Sequence, residues 1–195
     1  MPSVVTKPLH IDFVITPYLG KLAMSACPGL SFGQNTYRST LEDDVSTIHR
    51  LGILTVISLM ETQELKRVGA KSISHYLGRR NIAWHQLQVS QSGTPNISTI
   101  HQWRRMAKPL INTLATGGNV LIHCLEGKGR TGVMTACLLK ILGMSGETAI
   151  AHVRRARQGV FQTALQEEYV LSGPKYPLAN SVNWHSSAAG GCNAT

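Results

Sequence analysis

The stretch His123-Cys124-Leu125-Glu126-Gly127-Lys128-Gly129-Arg130-Thr131-Gly132 constrains the fold of this chain more than any other. Asn119 to His123 before it reads as a buried strand, and about Arg130 to Leu142 after it reads as a helix that Gly143 ends. A strand must therefore pass the chain to a helix N-terminus through the loop Leu125 to Arg130. Successive backbone N–H groups in such a loop point inward and form an anion nest. The helix start adds free donors and the positive end of its dipole. Gly127 and Gly129 allow the tight curvature and positive φ of the wrap. Arg130, with its planar fork, can hold two oxygens of a phosphate. Thiols at helix N-termini beside cations ionise more readily than free cysteine, so a thiolate nucleophile is expected at Cys124. Thr131 is placed to donate a hydrogen bond to that sulfur and help it leave a phosphocysteine.

The rest of the chain reads as alternating strands and helices. Ile11 to Ile15 and Leu22 to Ala26 are short apolar runs before the turn signal Pro28-Gly29. Ser39 to Glu42 has the Ser-x-x-Glu capping-box form, and a helix with Val45, Ile48 and Leu51 on one side follows to Gly52. Ile53 to Met60 has the composition of a buried central strand, Glu61 to Val68 of a short helix, and Ile82 to Val89 the alternation of a half-wet strand. Ser98 is the expected cap of a long helix to about Leu114, which Pro109 should kink or split. Helices are expected over Ser145 to Gln158 and Thr163 to Leu171. This order argues an α/β fold, with helices packed on a sheet. One domain over residues 1–172 is expected, followed by a loosely ordered Gly/Ser/Ala/Asn-rich tail over 173–195.

Charge adds a second constraint. Nineteen Lys and Arg stand against ten Asp and Glu, a net charge of +9, and no acid occurs between Glu64 and Glu126. Lys66, Arg67, Lys71, Arg79, Arg80, Arg104, Arg105 and Lys108 all fall in that span. The balance favours an anionic partner and excludes paired-carboxylate chemistry in the middle third. A nucleic-acid partner would need aromatic platforms or a groove-reading motif, and neither is visible. The bases Arg104-Arg105 and Arg154-Arg155-x-Arg157 read as solvated helix faces. The apolar run Val133 to Leu142 is broken by Lys140, so no transmembrane segment is expected, and no signal-peptide pattern opens the chain. Cys27, Cys124, Cys137 and Cys192 have neither disulfide-scaffold nor metal-site spacing, which points to a reduced, cytoplasmic protein without a metal or other cofactor.

The pattern His-Cys-x-x-Gly-x-x-Arg-Thr-Gly resembles the signature of the cysteine-dependent protein tyrosine phosphatase superfamily. Ser25-Ala26-Cys27-Pro28-Gly29, Gly93-Thr94-Pro95 and Gly159-Val160-Phe161-Gln162-Thr163 are most similar to its dual-specificity branch, and within it to the kinase-associated (KAP-type) phosphatases. The resemblance covers roughly Leu22 to Leu171 and implies a phosphotyrosine-phosphatase-like fold, a central mixed, mostly parallel sheet flanked by helices. It implies Cys124 as nucleophile, Leu125, Glu126, Gly127, Lys128, Gly129 and Arg130 as the phosphate loop, and Thr131 as the residue assisting hydrolysis. Gln162 and Gln166 match the segment that orients water. The implied reaction is hydrolysis of phosphotyrosine, and also of phosphoserine or phosphothreonine, on a phosphorylated protein or peptide.

One position departs from that pattern. The kinase-associated branch has Asp-Gly-Gly-x-Pro-Asp where this chain has Gln91-Ser92-Gly93-Thr94-Pro95-Asn96, so an amide stands at the general-acid position. Loss of a general acid typically costs ~10²–10⁴-fold in rate. Three explanations are open: Gln91 is an engineered change that traps substrate, the protein is slow or restricted to good leaving groups, or another acid is brought in. Glu126 is the first candidate for a substitute acid, with Glu61 and Glu64 next; His85 reads as a strand residue. A low-turnover phosphate-binding protein is the alternative that Gln91 suggests. Lys128 suggests a further one, since it resembles the lysine of phosphoinositide-directed relatives; an anionic phospholipid or inositol phosphate would then be the partner.

Overall fold

The computed structural model describes residues 8–30, 40–91 and 93–173. Five strands form one mixed sheet: β1 (Ile11–Val14), β2 (Leu22–Ser25), β3 (Ile53–Ser58), β4 (Ala83–Gln86) and β5 (Asn119–His123). Their order is β1-β2-β5-β3-β4, with β1 antiparallel to β2 and every other pairing parallel. The helices are α1 (Leu41–Arg50), α2 (Thr62–Arg67), α3 (Ile73–Gly78), α4 (Ile97–Ala115), α5 (Gly129–Ile141), α6 (Gly146–Ala156) and α7 (Ala164–Ser172).

Successive residues of a strand face opposite sides of the sheet, so each buried strand must satisfy two apolar layers. In β5, Leu121 joins the layer formed with Val45 and Ile48 of α1 and Ile73 and Leu77 of α3. Its neighbours Val120 and Ile122 join the layer formed with α4 to α7. Burying each such side chain contributes ~1.5–3 kcal/mol. In α5 every residue but Lys140 is buried, as an apolar-all-round helix requires. Lys140 turns its Nζ to the carbonyls of Val170 and Gly173, where a cation satisfies the open C-terminal end of α7. Among the described residues no helix is long and apolar enough to cross a membrane.

Three local expectations need correction. Thr40, not Ser39, caps α1: its hydroxyl accepts from the Asp43 N–H, and the Asp43 carboxylate accepts from the Thr40 N–H in return. Ser39 itself lies outside the described residues, as does the tail from residue 174. Asn96, two residues before Ser98, caps α4 by accepting from Thr99 N–H at 2.8 Å. The capping amide explains why α4 begins earlier than the serine suggested. Pro109 does not split α4, which runs unbroken from Ile97 to Ala115. Its ~3 kcal/mol penalty is borne because Trp103, Ala107, Leu110 and Leu114 bury one face on either side of it.

Candidate active site

β5 is flanked by β2 and β3, and its C-terminal end delivers His123 and Cys124 to the middle of the sheet edge where ligands gather in parallel sheets. Polar contacts below fix the backbone. Trp84 Nε1, which can only donate, gives its proton to Ser58 Oγ at 2.8 Å, leaving the Ser58 proton for His123 Nε2 at 2.6 Å. His123 Nδ1 then carries the ring proton and faces the Cys124 carbonyl at 3.4 Å. Complete burial, reinforced by the nearby Arg130 charge, pushes the His123 pKa down to about 4, so the ring is neutral at physiological pH.

The loop then wraps as its glycines permit. Gly127 has φ +70°, and a Cβ there would lie 2.2 Å from Ser25 O, so no other residue fits. Arg157, at the end of α6, holds the outer side of this wrap. Its Nε donates to Gly127 O at 2.6 Å, its Nη2 to Glu126 O at 3.2 Å, and its Nη1 to Asp12 of β1 at 2.5 Å. Carbonyls held outward in this way favour the inward-facing N–H groups expected of an anion nest. Arg157 is therefore not part of a solvated face. Arg154 is also engaged, pairing with Glu167 and lying 5.5 Å over the Phe161 ring.

Arg130 is buried, and so is its partner Glu64. Nη1 donates to Glu64 Oε2 at 2.7 Å and Nη2 to Glu64 Oε1 at 2.9 Å, a bidentate pair. Nη1 also reaches Leu59 O at 3.1 Å and Val89 O at 3.2 Å. The edge formed by Nε and the second Nη2 proton stays available, and Cys124 lies close enough to favour the Arg130 charge. Burial works against the Arg130 charge, yet Glu64 and Cys124 together push its pKa above the usual guanidinium value. Burial likewise works to raise the Glu64 pKa. Hydrogen bonds from Arg130 and from the Glu61 N–H, the Arg130 charge and the Gln91 side chain outweigh it and hold the carboxyl below its ordinary range.

These contacts bear directly on the general acid. Glu64 stays ionised at neutral pH as the partner of Arg130, so it does not serve as the substitute acid. Gln91 lies near that carboxylate and adds, after Arg130 and the Glu61 N–H, to what favours its charged form. Glu126 is 52% exposed and forms a surface ion pair with Lys128 at 3.7 Å. Lys128 in turn lies along Gly159, so it is engaged on the rim of the loop.

The two glutamines do converge on the loop. A Cβ on Gly129 would meet Gln162 Oε1 at 2.6 Å and Gln166 Nε2 at 2.8 Å. A Cβ on Gly93 would meet Gln166 Nε2 at 2.2 Å, so Gln166 spans from the phosphate loop to the segment of Gln91. Thr163, between them, caps α7 by accepting from Gln166 N–H at 3.3 Å. Phe161, just before, has φ +56°, a strained value for a bulky residue and one that places Gln162. Thr131 Oγ1 is buried with no hydrogen-bond partner among the described residues, a free donor one residue beyond Arg130.

Three contributors escaped the sequence reading: Glu64 as the fixing partner of Arg130, Arg157 as the clamp, and Asp12 as its anchor. Asp12 is one of only three aspartates in the chain, and that scarcity was the available signal.

A mixed sheet whose parallel middle strand feeds a cysteine into a glycine-bearing loop closed by a buried arginine defines a cysteine-dependent phosphatase. The family model "Swiss Army Knife protein, DSP-PTPase phosphatase domain" matches residues 34–170, and the chain belongs to that family. Rat (Rattus norvegicus) cyclin-dependent kinase inhibitor 3 is 29% identical over 152 residues, covering 76% of this chain and 69% of the relative. A crystal structure of kinase associated phosphatase, with its catalytic-site cysteine changed to serine, superposes with a TM-score of 0.73 at 26% identity, covering 85% of this chain and 94% of the other. Tk-PTP in its active form shares the fold, with a TM-score of 0.60 at 23% identity over 80% of this chain and 92% of that one. The sheet flanked by helices is thus a dual-specificity phosphatase fold.

Proposed function

We propose that this phosphatase acts on phosphorylated protein, with phosphotyrosine as its preferred group, in a reducing compartment such as the cytoplasm. Cys124 attacks phosphorus, the loop amides and the free edge of Arg130 hold the equatorial oxygens, and Thr131 donates to the departing sulfur. Gln162 and Gln166 orient the water that cleaves the phosphocysteine. The observation that carries this reading is the Arg130 fork, fixed by Glu64 on one edge and open toward Cys124 on the other. A protein substrate also fits the kinase-associated relative.

Gln91 narrows the leaving group. An amide cannot protonate the departing oxygen, so expulsion depends on the oxygen's own acidity. Phenols, with pKa ~10, leave unaided far better than aliphatic alcohols. Aryl phosphates therefore turn over and alkyl phosphates scarcely do. The same residue supports a second reading, a phosphate-binding protein with little turnover of any substrate.

Steady-state rates of the wild type and of Gln91→Asp with an aryl and an alkyl phosphate separate the two. The first reading expects vanadate-sensitive aryl turnover in the wild type, without a basic-side decline in its pH–rate profile. Gln91→Asp should then add that decline and raise alkyl turnover by up to ~10²–10⁴-fold. A wild type with no aryl turnover, rescued for both substrates by Gln91→Asp, would favour the binding reading.

A further inference from the structure

The active site takes His123, Cys124 and Gln91 from the acid-free span between Glu64 and Glu126 but none of its bases, which gather elsewhere. β4 is an edge strand whose sheet partner among the described residues is β3 alone. Leu87 N–H, just past β4, donates to Ser58 O at 2.9 Å. Hydrogen bonds along a strand alternate between its two sides, so His85 faces β3 as Leu87 does. Trp84 and Gln86 then turn their N–H and C=O groups to the open edge.

A groove of about 460 Å³ runs beside this edge, walled by Trp84, His85 and Gln86 on the strand and by Gln102, Arg105 and Met106 on α4. Pro109 lines it too, and lacking an N–H it leaves the Arg105 carbonyl without its helical donor. Neither neighbouring helix carries an acid. α3 is followed by Arg79 and Arg80, and α4 presents His101, Arg104, Arg105 and Lys108. Arg105 forms no ion pair with any described residue.

We propose that this edge docks an extended acidic segment of a protein partner, which adds as a strand beside β4 and sets its carboxylates against Arg105. The open N–H and C=O groups of Trp84 and Gln86 call for a peptide backbone. The bases that follow α3 and those of α4 select acidic side chains over apolar ones. Single-stranded nucleic acid would need a ring face to stack on, and the Trp84 indole is half-buried with its N–H tied to Ser58.

The test titrates a fluorescent peptide alternating glutamate with valine against the full chain, with amide exchange read at Trp84 and Gln86. Binding should protect both amides. Gln86→Pro removes an outward N–H that an edge strand can spare for folding. Gln86→Ala controls for the side-chain bond to Met60 O at 2.9 Å. Gln86→Pro and Arg105→Glu should each weaken binding at least about tenfold, Gln86→Ala should bind like the wild type, and Arg105→Glu should hydrolyse an aryl phosphate at the wild-type rate. The proposal is overturned by any of four results: no binding, equal binding to Gln86→Pro, competition by an oligouridylate of equal charge as strong as that by unlabelled peptide, or a self-dimer in sedimentation that occupies the edge.

Discussion

Arg130 and Glu64 meet through two parallel hydrogen bonds, 2.7 and 2.9 Å long, with only 7% and 5% of the two side chains exposed. A guanidinium so held cannot rotate, and the free edge proposed to hold phosphate is set before any substrate arrives. Pre-set geometry of this kind is the main source of catalysis in phosphoryl transfer, where covalent work for the protein is slight. Glu64→Gln leaves a buried cation without its counter-charge, which costs ~3–5 kcal/mol of stability. Turnover of an aryl phosphate by the folded fraction should fall by about 10²-fold, whereas a residue with no part in the site would leave kcat untouched. Chemical denaturation and steady-state kinetics on one preparation check both effects.

The Arg157 clamp predicts a different signature. Arg157→Ala frees the Glu126 and Gly127 carbonyls, so the nest loses its inward set of N–H groups. Vanadate binding should weaken about tenfold, the value of one charge-assisted hydrogen bond, with a smaller loss on Asp12→Asn. Arg157→Lys should recover part of the loss. Calorimetric titration with vanadate is the measurement, and unchanged affinity in Arg157→Ala would show that the loop holds itself.

His123 makes stability depend on pH. Its folded pKa of about 4 lies below the ordinary histidine value of 6.5, so the unfolded chain binds the extra proton first. The stabilising contribution is therefore complete above pH 6.5 and is lost as pH falls toward 4. It amounts to roughly 3 kcal/mol. Urea melts across that range should show this decline, and His123→Asn should flatten it.

Cysteine reactivity should divide by position. Burial, and for Cys27 also the neighbouring Cys124, pushes the thiols of Cys27 and Cys137 up to about 12. Thiolate is the reactive form, so neither should be alkylated by iodoacetamide at neutral pH in the folded protein. Cys124 should be modified, and phosphate should protect it. Peptide mass mapping decides the matter; labelling of Cys137 at a rate like that of Cys124 would contradict it.

Much of this was written locally in the chain. The strand-to-helix passage at Cys124 needs particular residues at adjacent positions, so His123 to Gly132 announced itself. β3, β5 and α5 followed from apolar runs whose burial leaves no alternative. Interactions across long separations were not legible. Glu64 stands 66 positions from Arg130, and Asp12 stands 145 from Arg157. No local pattern couples such residues; only the order of strands in the sheet brings them together. The α4 cap was misread for the opposite reason: Ser98 and Asn96 both have capping side chains, and spacing alone did not choose between them. The short helix α3 carries too little periodic pattern in six residues to stand out.

In the proposed reaction Cys124 takes the phosphoryl group. Rapid acid quench during turnover of an aryl phosphate, followed by peptide mass analysis, tests it most directly. One phosphoryl group should appear on the peptide holding Cys124, and both the adduct and turnover should vanish in Cys124→Ser. A phosphoryl group on another residue, or turnover that survives Cys124→Ser, would contradict the account.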